Sequence, residues 1–475
     1  MTPRARLVCP ALRWRRGSFK SERSKIEQAL AAGVGGFILF GGTRAAVTAL
    51  TSALRDLAGR PLLIASDFER GPGQQVRGLT ELPPPAALGY LNDLDATYAC
   101  GMITAIEARA VGLNWIFAPV CDLDIEPKNP IVQTRSFGTD PAAVGRHAAA
   151  WIKGCQEHGV MACAKHYPGH GRTTTDSHEG LPVVETLGAE VQQIDVAPFK
   201  AAVDAGVGSV MPAFVAYPRW DASGAAATFS PIILGYLRDS LGFRGLTVTD
   251  AFIMGGATAA APEGSAAAAA IAAGCDMLLY PTDWAAVVKS LDAVPAERAE
   301  AALGRYEQEL GVWSRDLGQT TVTDSDLIEH QRFADGLADR AVRMLRGDAP
   351  RLARSVSVSL VDDDVGGPYS IPPRDVFAKT LAELGVRTTR SPIANSRERI
   401  VLVYAEPRSW KGRADLVPQS LARLARLVPS ASLVVLFAHP RLVSQIPGDG
   451  PVLCAWHGQP LMQRAAARWI LGRIR

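Results

Sequence analysis

Short apolar runs and helix-like stretches take turns along roughly the first 300 residues, and this alternation constrains the fold more than any other feature of the chain. RLVCPAL near 6, GGFILF at 35, PLLIAS at 61, LNWIFAP at 113, VMACAK at 160, VGSVMPA at 207, LTVTD at 246 and CDMLLY at 275 are continuous apolar runs. Such runs mark strands covered on both faces, as in a parallel sheet. Between them lie SERSKIEQALAAG, DATYACGMITAIEARAVG, PAAVGRHAAAWIKGCQEHG, AEVQQIDVAPFKAAVDAG and SPIILGYLRDSLG, which read as helices. Gly33, Gly112, Gly159, Gly206, Gly242 and Gly274 stand where helices should stop. Eight strands with eight crossovers make a (β/α)8 TIM-type barrel, which needs about 250 residues. A doubly wound open sheet is the competing α/β arrangement.

The alternation changes character towards the C-terminus. Helical sequence from about 283 to 346 is expected to close the barrel and lead out of it. From Ser355 onward SVSVSLVDDD, RIVLVYAEP, ASLVVLFAH and PVLCAWHG read as four more buried strands, with helices KTLAELG, PQSLARLARLV and MQRAAARWILGRI among them. The expected division is a barrel over 1–345 and a smaller α/β layered domain over 355–475, with SPIANSRER at 391–399 as a loop in it.

Composition excludes some classes of function. The 475 residues are 48% hydrophobic and 20% charged, the profile of a globular protein with a sizeable core. A net charge of +3 is too small to suggest nucleic acid or an anionic membrane as partner, and Arg13, Arg15 and Arg16 read as a solvated surface. The seven cysteines form no C-x-x-C pair and several sit in apolar runs, so buried free thiols and a reducing compartment are expected. MTPRARLVCPALRWRRG lacks the long apolar core of a signal peptide. GSAAAAAIAAG at 264–274 is too short to span a bilayer and reads as a buried helix. The expectation is a cytoplasmic protein without membrane insertion.

Polar residues collect where the strands end, which in a barrel is where chemistry sits. Asp67, Glu69 and Arg70 follow PLLIAS; Asp122 and Asp124 follow the fourth strand, with Arg135 in RSFG beyond. Lys165 and His166 end VMACAKH, and Asp250 ends LTVTD. The loop KHYPGHGRTTTDSH, residues 165–178, holds three of the chain's eight histidines, and Pro168, Gly169 and Gly171 keep it from being a helix. Metal binding by His166, His170, Asp176 and His178 fits no common helical zinc spacing. Acyl transfer through Ser177 lacks the glycines of a nucleophile elbow. Sugar chemistry fits better: a carboxylate, Asp250, attacks an anomeric carbon, while Asp176 orients His178 for proton transfer.

KHYPGHG, then DSH, then the aspartate of LTVTDAF resemble family 3 glycoside hydrolases, in the branch of β-N-acetylhexosaminidases found in bacterial cell-wall recycling. The resemblance spans roughly residues 30–290, in which GGFILF, Asp67, RSFG, KHYPGHG, DSH, MPA with Met211, and Asp250 follow the family's order. It implies a (β/α)8 barrel, with a second α/β domain in some members. By resemblance Asp250 is the nucleophile, His178 the acid/base and Asp176 its partner. Lys165, His166, Asp67 and Arg135 are then substrate contacts, and His170 braces the loop. The chain departs from the pattern in two places. DFERGPGQQV stands for the family's D-Q-E-G-G-R-V, leaving Arg70 or Arg77 as weak substitutes for its arginine, and Phe214 stands where a histidine is frequent. The implied enzyme is a retaining glycosidase acting on a small GlcNAc-containing saccharide or muropeptide, with no metal and no organic cofactor. The role of the C-terminal domain is not implied by any motif; His457 and Trp410–Lys411 read as surface or core.

Overall fold

The computed structural model describes residues 3–175, 180–254, 261–315, 317, 320–367, 371–389, 398–408 and 410–474. All eight apolar runs form strand. In chain order these are β1 (Val8–Cys9), β2 (Ala11–Arg13), β3 (Gly36–Phe40), β4 (Leu63–Ser66), β5 (Trp115–Ile116), β6 (Met161–Tyr167), β7 (Ser209–Pro212), β8 (Leu246–Thr247) and β9 (Leu278–Leu279). The first run is split by Pro10, which has no N–H for a ladder. The two halves face different neighbours: β2 pairs with β3, and β1 pairs with β9. From β2 to β8 every pairing is parallel and sequential. The Val248–Met277 bridge joins β8 to β9. The ring therefore closes, and the open doubly wound sheet is not what forms.

Local chemistry explains the helices between the strands. Thr43, Asp93, Asp140 and Ser230 cap helix N-termini by accepting from the backbone N–H three residues on. Gly33 closes Arg23–Ala32 with its N–H on Ala29 and Leu30 carbonyls at φ +93, and the other five expected stop glycines also have positive φ. Gly35 and Gly36 are needed for a different reason. A Cβ on them would lie 1.9 Å from the Arg6 carbonyl oxygen and 2.0 Å from that of Leu63, so the strands approach too closely for any side chain. One expected helix is two, Gly188–Ile194 and Ala197–Asp204. Pro198 cannot donate to the Ile194 carbonyl, so the first helix cannot run on.

The chain separates into two compact units. The first holds the barrel. The second comprises Gln331–Arg475 together with two stretches that sequence order would assign to the barrel, Leu82–Asn92 and Pro127–Arg135. Gln459 donates to the Leu82 carbonyl at 2.7 Å, and the Arg343 guanidinium lies over the rings of Tyr90 and Trp456. The sheet of this unit has six strands: β10 (Arg343–Arg346), β11 (Ser355–Asp362), β12 (Arg387–Thr389), β13 (Arg399–Ala405), β14 (Leu433–Ala438) and β15 (Val452–Cys454), in the order β10-β15-β14-β13-β11-β12. All pairings are parallel except β10 with β15. β10 corrects the helical reading to 346, and β12 is a further strand the pattern did not show. Both are short, polar edge strands without a continuous apolar run. The four expected strands form the apolar centre, where Val401, Val403, Val434 and Leu436 are buried. Residues 391–397 of the expected loop lie outside the described residues.

Candidate active site

The barrel strands deliver their last residues to one rim. Asp67 follows β4, Asp122 lies beyond β5, Lys165 and His166 are in β6, Met211 in β7, and Asp250 is three residues past β8. Lys165 is buried and clamped between two carboxylates, its Nζ 2.8 Å from both Asp67 Oδ1 and Glu69 Oε1. Met211 is paired with Lys165 in register and so shares its face of the sheet. The peptide between Lys165 and His166 is cis.

His166 stands between two aspartates. Its Nδ1 is 2.7 Å from Asp122 Oδ2, and its Nε2 is 4.0 Å from Asp250 Oδ2. Asp250 keeps 19% of its side chain exposed, and its Oδ1 accepts from the Ala251 N–H at 2.7 Å. Asp122 is fully buried. Burial pushes its carboxyl up, but His166 and His170 outweigh that and hold it below the usual carboxylate range.

The catalytic-loop candidates divide. His170 donates its backbone N–H to Asp122 at 2.6 Å and sets Nδ1 on Thr173 Oγ1 at 2.7 Å, so it braces the loop. Arg172 anchors the same loop to Asp195 at 2.8 Å and Glu190 at 3.0 Å. Asp176, Ser177 and His178 lie outside the described residues.

Arg135 belongs to the second unit, where its Nη1 donates to the Ile131 carbonyl at 3.2 Å. Arg77 is exposed; its backbone ties to Gly42 and Arg44. Phe214 is fully buried with Phe229 and Phe252 at ring distances of 5.7 and 5.8 Å, so it contributes packing where a histidine would bring a polar group. The rim positions of Glu69 and Asp122 are legible from the strand ends. Their partners are not, because both lie on β6, far along the chain.

A closed parallel barrel, an aspartate past the seventh position of the ring, and a buried lysine–histidine pair beside it match a known pattern. The profile of the Glycosyl hydrolase family 3 N terminal domain matches residues 8–305. The chain belongs to glycosyl hydrolase family 3. As a family member it is a glycosidase. It is 39% identical over 308 residues to a beta-hexosaminidase of Chromobacterium violaceum, covering 61% of this chain and 85% of that one. To a beta-hexosaminidase of Tolumonas auensis it is 38% identical over 293 residues, 59% of this chain and 86% of that one. The structure superposes on that of a family 3 beta-N-acetylglucosaminidase from Paenibacillus sp. str. FPU-7 with a TM-score of 0.85 and 26% identity, covering 100% of this chain and 96% of the other. The family 3 barrel and the α/β domain that follows it are thus both shared with a solved relative. Among the described residues, no helix is long and apolar enough to cross a membrane. All seven cysteines are buried and unpaired, as expected.

Proposed function

We propose that the protein is a retaining β-N-acetylhexosaminidase that releases terminal β-linked N-acetylglucosamine through a covalent glycosyl–enzyme. The observation that carries the reading is the pairing at the rim: Asp250, partly exposed, faces His166 Nε2 at 4.0 Å, beside a lysine clamped by Asp67 and Glu69. The name of the Paenibacillus protein carries the same sugar, and those of the Chromobacterium and Tolumonas proteins carry the broader hexosamine class.

In this reading Asp250 attacks the anomeric carbon as the glycosidic bond breaks. His178, oriented by Asp176, gives its proton to the departing oxygen and later takes one from water. Two inversions leave the β configuration. Imidazole replaces the second carboxylic acid of the usual pair. Lys165, His166, Asp67 and Met211 hold the sugar ring in the barrel, with Arg135 and Arg77 as further contacts. The carboxylates of the rim favour the positive charge that develops on the ring in the transition state. The substrates are muropeptide fragments in peptidoglycan recycling or chitin-type oligosaccharides. Seven buried, unpaired thiols favour the cytoplasm as the place of action.

A 2-fluoro or 5-fluoro amino-sugar probe, followed by peptide mass spectrometry, tests the proposal. Label on the Asp250 peptide is expected. Turnover of 4-nitrophenyl N-acetyl-β-glucosaminide should exceed that of the glucoside. Faster turnover in phosphate with release of a sugar 1-phosphate would make the enzyme a phosphorylase instead. Preference for the glucoside would make it a β-glucosidase. Binding without turnover would leave a sugar-binding protein.

A further inference from the structure

The two aspartates flanking His166 differ in their surroundings. Asp250 opens to solvent, whereas Asp122 has no exposed surface. Asp122 receives the His166 backbone N–H at 3.2 and 3.3 Å, the His170 backbone N–H at 2.6 Å and the His166 ring at 2.7 Å. Its own backbone is fixed as well: Ser136 Oγ donates to its carbonyl at 2.6 Å, and the preceding Cys121 N–H donates to the Lys165 carbonyl at 2.6 Å. An ionised carboxylate only accepts hydrogen bonds. A ring nitrogen 2.7 Å from it must therefore carry the proton. The ring then presents Nε2 on the Asp250 side, and which nitrogen faces the reacting carboxylate is decided 2.7 Å away on the other side of the ring.

We infer that Asp122 is a positioning residue of the reaction: it keeps the proton on His166 Nδ1 and turns His166 Nε2 towards Asp250 and the sugar bound there. The inference rests on Asp250 being the reacting carboxylate. It adds that the histidine beside Asp250 works only in one tautomer and one orientation, set by a residue that touches no substrate. Asp122 also secures the chain that leaves β6, since His166 and His170 both give it their backbone N–H. One side chain thereby sets the ring and the start of the loop together.

The test starts with unmodified protein. Ring nitrogen NMR of histidine-labelled full-length chain, with His166 assigned through His166→Asn, should show Nδ1 protonated at neutral pH. A bare Nδ1 there would overturn the inference whatever any variant does. Asp122→Asn should then lower kcat for 4-nitrophenyl N-acetyl-β-glucosaminide by at least about 100-fold, the scale of a mis-set tautomer. KM should change less, and the His166 ring signals should move to the other tautomer. The double variant Asp122→Asn/His166→Asn should be no slower than His166→Asn alone, because both changes remove one function. Multiplying losses, or a kcat loss with the His166 signals unmoved, would mean that Asp122 serves only the loop amides and would overturn the inference. The ring signals are read without substrate. A failure to label Asp250 therefore sinks the proposed reaction, whereas a bare Nδ1 sinks only the role of Asp122.

Discussion

Two largely parallel sheets in this protein end in rims crowded with charge, and the charges of the two rims are partnered differently. In the C-terminal unit, β11 and β13 are neighbours from which the chain departs in opposite directions, β12 lying to one side and β14 to the other. Ligands in open α/β sheets usually bind beyond such a switch point. Here Asp362, Asp363, Asp364 and Glu406 fill it and meet four cations. Arg374 reaches Asp362 at 3.0 Å, Asp364 at 2.7 Å and Glu406 at 3.2 Å. Lys411 bridges Asp363 and Asp364 at 3.2 and 3.0 Å, Arg413 holds Asp363 at 2.6 Å, and Arg408 pairs with Glu406. At the barrel rim, Asp67 and Glu69 share Lys165, and Asp122 and Asp250 flank His166. A rim that binds a developing cation keeps carboxylates in excess. A rim that only joins strands neutralises them, because an uncompensated buried charge costs several kcal/mol.

The largest effect that could break this contrast is at Asp250. Asp250→Asn should lower kcat by at least about 10⁴-fold with the thermal midpoint unchanged, as removal of a covalent nucleophile does. Activity assays beside calorimetry check it, and retention of activity would end the catalytic reading of the barrel rim. Arg374→Ala should do the reverse. It leaves Asp364 and Glu406 buried without their shared partner, and urea unfolding should show a loss of about 3–5 kcal/mol. The kcat of the folded fraction should stay the same; a fall would show that the second rim takes part in catalysis.

Gly458→Ala sharpens the contrast on a smaller scale. A Cβ there would stand 2.4 Å from Arg374 Nη1 and 2.5 Å from Glu406 Oε1, so the network must shift. The expected loss is about 1–3 kcal/mol in unfolding free energy. The smallest effect is in pH dependence, where the rims should differ in sign. Asp122 is held below the ordinary carboxylate range because His166 and His170 outweigh its burial, so its contribution is present above the unfolded value of 3.8 and lost as pH falls. Asp364 is held above that range by burial and by Glu406. Its contribution is full below 3.8 and lost as pH rises through its folded value. Hydrogen exchange on peptides from the two rims between pH 5 and 3 should show the barrel rim losing protection and the C-terminal rim gaining it, each relative to Asp122→Asn and Asp364→Asn proteins.

Much of this was legible in the linear chain. Continuous apolar runs located the eight barrel strands and the four central strands of the second sheet, because a strand covered on both faces has no polar positions. The glycines after the helices marked their ends, because few other residues tolerate positive φ. The same logic missed β10 and β12, which lie at sheet edges and need no apolar run, and the break before Ala197, where one proline outweighs a helical pattern. At the candidate active site, the rim positions of Asp67, Lys165, His166 and Asp250 followed from their places at strand ends.

What the sequence by itself determined is the order of strands and helices and the identity of the charged residues that end them, since burial and backbone chemistry are written locally. The tertiary structure alone decided which charges meet. Lys165 finds Asp67 and Glu69 about a hundred positions upstream, and His166 is set between Asp122 and Asp250, because closing a ring of strands brings distant chain ends within hydrogen-bond reach. Coulomb and hydrogen-bond energies depend on separation in space, and separation along the chain carries no information about them.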